Sequence, residues 1–169
     1  MRRNLFLGIA AAFLLAASAS SWAEEGKDLQ QLAQAVPQAT ISLAQGLKAS
    51  ESKGKPISAK YEIENGALQL SVYVMNLDQF GEVIVDHWSG AIAKAEAITS
   101  GEDMKAAGEQ GAAMSKAKVP LADAVDRAVK ANAGYLAVEV EPKLEGGRPV
   151  ATITLMKGQD VRKVTSNLD

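Results

Sequence analysis

The chain has no cysteine, so disulfide staples, thiolate metal sites, cysteine nucleophiles and dithiol redox chemistry are excluded. It has one histidine, His87. That rules out a multi-histidine metal centre within one chain and makes any Ser-His-Asp arrangement depend on a single ring. No serine stands in a Gly-x-Ser-x-Gly elbow. Aromatic residues make up 5% of the chain, and no run of Lys and Arg with interleaved rings occurs, which argues against a nucleic-acid surface. Beyond residue 17 no apolar run approaches the roughly 20 residues of a membrane-crossing helix.

What is present begins with an export signal. Arg2 and Arg3 give a basic start, Leu5 to Ala17 is unbroken apolar sequence, and two small-residue cleavage sites follow at Ala17-Ser18-Ala19 and Ser21-Trp22-Ala23. Cleavage after Ala23 is preferred because Glu24-Glu25 opens a polar chain; cleavage after Ala19 and an uncleaved anchor are the alternatives. Residues 1–23 are therefore assigned to a signal peptide. The remaining 146 residues carry 16 basic against 20 acidic side chains, a formal charge of −4. A cysteine-free exported chain of this size, held by its core alone, suits the periplasm, with an extracellular location as the alternative.

The most informative stretch is Ile57 to Val74. Asn65-Gly66 fits a two-residue type I′ turn, in which both central positions need φ > 0. That loop sets Ile63 against Leu68, Tyr61 against Leu70, Ala59 against Val72 and Ile57 against Val74 on one apolar face, with Lys60, Glu62, Ser71 and Tyr73 on a solvated face. A helix from Ser42 to Lys53, opened by an S-x-x-Q capping box at Ser42 and Gln45, precedes the hairpin. A turn over Asn76 to Gly81 and a third strand over Glu82 to Asp86 follow it, closed by His87-Trp88-Ser89-Gly90.

The same order then recurs. Pro120 opens a helix with Leu121, Val125, Ala128 and Val129 on one side. Leu136, Val138 and Val140 form the inward face of a strand, with Glu139 and Glu141 turned outward as Glu62 and Glu64 are in the first copy. A long hairpin loop from Pro142 to Pro149, a returning strand through Ala151, Ile153 and Leu155, and a last strand over Val161 to Val164 complete it. Offsets of 78 for Leu43 and Leu121, 77 for Tyr61 and Val138, and 81 for Val74 and Leu155 place the growth between copies in that hairpin loop. The predicted fold is α+β: two tandem units, each a helix packed on a small antiparallel β-meander. Residues 24–41 form an N-terminal arm with a short helix over Asp28 to Val36, 42–92 the first unit, 93–118 a helical linker over Glu102 to Lys116 weakened by Gly108 and Gly111, and 119–169 the second unit.

Ser42-Leu-Ala-Gln45, its echo Pro120-Leu-Ala-Asp123, Tyr61-Glu62-Ile63, the strand Leu70 to Met75, and Val83-Ile84-Val85-Asp86 leading to Ser89-Gly90 resemble the PepSY domain family. The resemblance covers Ile41 to Ile92 and, more weakly, Val119 to Leu168, where no Asp followed by Ser-Gly occurs. It implies an exported or envelope protein that regulates or inhibits a peptidase, and it transfers neither a catalytic constellation nor an inhibitory residue.

Tyr73 on the solvated face, His87, and Trp88 in its turn are the candidate binding residues. For Tyr73 and Trp88 the competing reading is that the linker or the second unit covers them. His87 is set against a metal role because strand alternation turns it away from Asp86 and Glu82. The expected function is thus a non-catalytic exported binding module, regulating a peptidase or another envelope protein, without catalytic residues, metal or cofactor. The alternative is a periplasmic small-ligand or metal-ion-binding protein.

Overall fold

The computed structural model describes residues 18–169. The apolar run of the signal lies outside them, as do the basic residues before it. An α-helix, α1, spans Ser18–Ala35 and passes through both expected cleavage sites, so the arm helix is longer than the periodicity of Asp28 to Val36 predicts. A 3₁₀ turn, Val36–Gln38, with Pro37 inside it, ends α1 and buries Val36.

The next elements are α2 (Leu43–Ser50), β1 (Lys55–Glu64), β2 (Ala67–Asn76), β3 (Gln79–Val85), β4 (Ile92–Ile98), α3 (Gly101–Lys116), α4 (Leu121–Ala131), β5 (Leu136–Glu145), β6 (Arg148–Lys157) and β7 (Asp160–Asn167). Among the described residues all seven strands belong to one antiparallel sheet, in the order β4-β3-β2-β1-β5-β6-β7. This corrects the expectation of two tandem helix-on-meander units. β1 and β5 pair directly, Ala59 with Val140 and Lys60 with Glu139, so there is one continuous sheet with helices on both faces. Each meander taken alone would leave the outer edge of its first strand unpaired, and each satisfies that edge with the other.

The hairpin forms as the Asn65-Gly66 turn requires, with φ 51° at Asn65 and 78° at Gly66, and Tyr61 stands opposite Leu70. At its far end a bulge intervenes: Pro56 pairs with Val74, Ser58 with Tyr73, and Ile57 is the extra residue. Ile57 is fully buried all the same, because a bulge lets two consecutive residues oppose one. β5 has the matching irregularity at Val138. It turns Ala137 inward and leaves Leu136 exposed, against the predicted alternation. The expected long loop over Pro142 to Pro149 is likewise a two-residue Gly146-Gly147 turn, with Pro142 paired to Ala151 and Pro149 to Leu144. Pro142 is tolerated because the pairing of β5 with β1 has already ended at Val140.

α2 and α4 cover the apolar face. Leu43, Leu47, Leu121 and Val125 pack on Ala59, Leu70, Val72, Val140 and Ile153, all of them buried. The capping box is present: Ser42 Oγ accepts from Gln45 N–H at 3.2 Å, and Gln45 Oε1 accepts from Ser42 N–H at 2.8 Å.

The stretch expected to be a linker contains two packed elements. β4 pairs along β3, and sequence reasoning missed it because Ala-Lys-Ala-Glu-Ala has low strand propensity and no apolar alternation. α3 begins and ends as predicted, but it lies across the face expected to meet water, burying Ala107, Ala113 and Met114. Gly111 is the reason it can approach. A Cβ there would stand 2.8 Å from Phe80 Cε1 and 3.1 Å from Met75 Sδ. At the C-terminus Leu168 is fully buried; its N–H donates to the Pro149 carbonyl, and its own carbonyl accepts from Lys118 and Val119 N–H.

Candidate functional site

Two places gather the side chains that sequence reasoning singled out. The first is the turn between β3 and β4. Asp86 follows β3 directly, and its Oδ1 accepts from Trp88 N–H at 3.1 Å, Ser89 N–H at 2.7 Å and Ser89 Oγ–H at 2.8 Å. These bonds, from the Ser89 backbone first and its hydroxyl next, hold the Asp86 carboxyl below its ordinary pKa. Gly90 at φ 75° returns its N–H to the Asp86 carbonyl at 2.8 Å. The His87 carbonyl accepts from both Thr40 and Ile41 N–H at 3.0 Å, which ties the turn to the segment leading into α2. The backbone under His87 and Trp88 is therefore fixed, while their rings lie side by side with centroids 5.1 Å apart and planes inclined by 40°. Trp88 is 54% exposed.

Asp86 is committed to its turn, and Glu82 accepts from the Ser71 hydroxyl. Among the described residues no group of three His, Cys, Asp or Glu side chains is placed to hold an ion.

The second place is a cleft of about 140 Å³ between α3 and the sheet, lined by Ser58, Lys60, Tyr73, Gln110, Glu139 and Glu141 together with their neighbours. Tyr73 Oη donates to Asp103 Oδ1 at 2.8 Å, and burial, then Asp103, push its pKa up. Burial opposes the charge on Lys60, but Glu62, with its Oε2 at 2.7 Å, and the more distant Glu82 and Glu139 outweigh it and raise the pKa overall. Glu139 accepts from Thr154 Oγ1 at 2.8 Å. Desolvation, and next the charge of Glu139, raise the pKa of Glu141. The expectation that these glutamates face water holds for Glu64 and Glu141, which are exposed, Glu141 at the rim of the cleft; it is corrected for Glu62 and Glu139, which are half-buried, Glu139 as part of the cleft lining beneath α3. Gln110, on the buried side of α3, has an Oε1 with no hydrogen-bond partner among the described residues. Nothing in the sequence pointed to it, since a single Gln in an Ala-Gly-rich helix resembles a surface position.

The structure therefore joins His87 to Trp88 and sets Tyr73 apart, in the α3 cleft. Tyr73 is partly buried by α3 and hydrogen-bonded to it.

No family model matches the chain, and no curated protein matches it. A crystal structure of a lipoprotein candidate from Clostridium difficile 630 is similar at 11% identity and a TM-score of 0.41, over 72% of this chain and 80% of that one. Among the described residues no helix is long and apolar enough to cross a membrane.

A third feature escaped the sequence altogether. The α2–α4 layer leaves a groove of about 490 Å³ bordered by Ile41, Tyr61, Val125, Val129 and Leu136. Tyr61, from the sheet, donates its hydroxyl to the Ile41 carbonyl at one end of this groove. The lining is mainly aliphatic, with Asp126 and Lys130 at the margin.

Proposed function

We propose that the protein is a non-catalytic binding module of the cell envelope that presents Trp88 to a protein partner. The observation that carries this reading is the fixed backbone beneath an exposed indole: three hydrogen bonds to Asp86 and two to the His87 carbonyl hold the turn, and the ring stays 54% exposed. A large ring on a rigid support loses little conformational freedom on binding, which is why such residues anchor interfaces. His87, its ring 5.1 Å from the indole, adds a polar rim beside it. The export signal read in residues 1–23 supports an envelope location, and the PepSY resemblance of Ile41 to Ile92 supports a peptidase as the partner class.

The test is inhibition. Purified mature chain is titrated into a panel of secreted metallopeptidases, with Trp88→Ala alongside. The expected result is saturable inhibition of one of them, weakened at least about tenfold by the substitution, as for an anchor worth about 1.4 kcal/mol or more. Equal potency of the two proteins would remove Trp88 from the interface. No inhibition across the panel, with no Trp88-dependent capture from envelope extract, would overturn the reading.

A further inference from the structure

β4 is an edge strand, and its outer side pairs with nothing among the described residues. Its sequence, Ile92-Ala93-Lys94-Ala95-Glu96-Ala97-Ile98, is the same read in either direction except that Lys and Glu exchange places. An antiparallel strand of the same sequence, laid beside it and centred on Ala95, sets Lys94 opposite Glu96 of the second copy and Glu96 opposite Lys94, with alanine facing alanine elsewhere. We infer that β4 is a self-pairing edge, at which two copies of the chain join their sheets about a twofold axis through Ala95.

Three further observations support this partner. The residues from Ala93 to Ala97 are exposed on both faces of the sheet, and the small alanine side chains leave the backbone open to a neighbouring strand. Lys94 and Glu96 lie on the same face as Glu82, which stands directly across from Glu96 on β3. Lys94 Nζ, 2.8 Å from Glu96, neutralises one member of that like-charged pair from within its own strand. A second copy supplies another lysine directly opposite Glu96, and opposite charges across a strand pair stabilise where like charges destabilise. Edge strands usually discourage association with lysine and with bulges. Here the lysine has its complement in the same strand. The bulge at Ala93, where Ile84 pairs with Lys94 and Val85 with Ile92, turns Ile92 to the other face and confines the pairing to the residues between Ala93 and Ala97. Sliding the partner strand by two residues, which moves the axis to Glu96 or Lys94, would set two glutamates or two lysines against each other, so the charges favour the register centred on Ala95.

Because the chain has no cysteine, the test can use single thiols. Ala95→Cys places two sulfurs across the axis, where either type of antiparallel pair brings Cα atoms to about 4.5–5.5 Å, within disulfide range. Ala112→Cys, exposed on α3, measures random collision. The expected result is rapid oxidation of Ala95→Cys to a dimer and slow oxidation of Ala112→Cys. In sedimentation velocity, Lys94→Glu and Glu96→Lys alone should each weaken association about tenfold or more, and the double exchange should restore it. Equal oxidation of the two thiols, or a double exchange no better than the single ones, would overturn the proposal. So would a wild-type chain that stays monomeric at the highest soluble concentration. The inference is independent of the Trp88 reading, since Trp88→Ala leaves β4 intact and should sediment as wild type.

Discussion

Gly46 of α2 rests directly on Leu70 of β2: a Cβ built on Gly46 would lie 2.5 Å from Leu70 Cδ2. Leu70 is itself fully buried and has no room to withdraw. In an open helix, replacing Gly by Ala gains up to about 1 kcal/mol. Here overpacking wins, and Gly46→Ala should destabilise by about 1–3 kcal/mol in urea unfolding. Gly108 of α3 has nothing within 4 Å of its Cβ position. Gly108→Ala should therefore stabilise by about 0.5–1 kcal/mol in the same assay.

Gln110 pays for its burial without a hydrogen bond to its oxygen. An unmatched buried polar group costs about 1–3 kcal/mol, and methionine keeps the length of the side chain without the amide. Gln110→Met should raise the thermal midpoint, while Gln110→Glu, which buries a charge in an acidic cleft, should lower it.

Burial raises the Tyr61 phenol to about 12 from its ordinary 10.0. The folded state therefore keeps the proton that the unfolded chain gives up, and the stability Tyr61 contributes is full below pH 10 and lost as pH rises toward 12. Tyr73 is shifted in the same direction. Thermal midpoints should fall between pH 10 and 12, and Tyr61→Phe should reduce that slope. At neutral pH the same substitution should cost about 1 kcal/mol, because the Ile41 carbonyl loses its donor.

Asp86 works at the other end of the scale. Its folded pKa is lowered, so the turn it holds gains stability above the ordinary carboxylate value of 3.8 and loses it as pH falls below that value toward the folded one. Asp86→Ala should leave Trp88 in place in the sequence but free to move. The measurement is indole fluorescence anisotropy, expected to drop in the variant at pH 7 and in the wild type under acid.

The hairpin was legible because Asn65-Gly66 dictates a turn type and the turn dictates the register. The capped helix at Ser42 was legible for the same reason, a local rule with one answer. What the sequence did not disclose was decided between distant residues. The bulges at Ile57 and Val138 depend on what lies opposite, the strand β4 borrows its order from β3, and α3 finds its place through Gly111 meeting Phe80. The joining of β1 to β5 was the largest surprise, since two polar side chains, Lys60 and Glu139, stand at the seam where one sheet continues into the other. At the candidate site the sequence left open whether Tyr73 and Trp88 are exposed or covered: α3 covers Tyr73 and Trp88 stays exposed, while the burial of Gln110 required α3 in position.

That seam is short: two residue pairs connect the halves, against a full ladder within each. A ladder of two rungs resists twisting poorly, so the angle between the left and right wings of the sheet is set by what bridges them: α2 against α4 on one face, with Lys48 reaching Asp126 at 3.4 Å, and α3 on the other, over Lys60 of β1 and Glu139 of β5. The two halves of the sheet are thus hinged like the covers of a book, with helices on both sides serving as the binding.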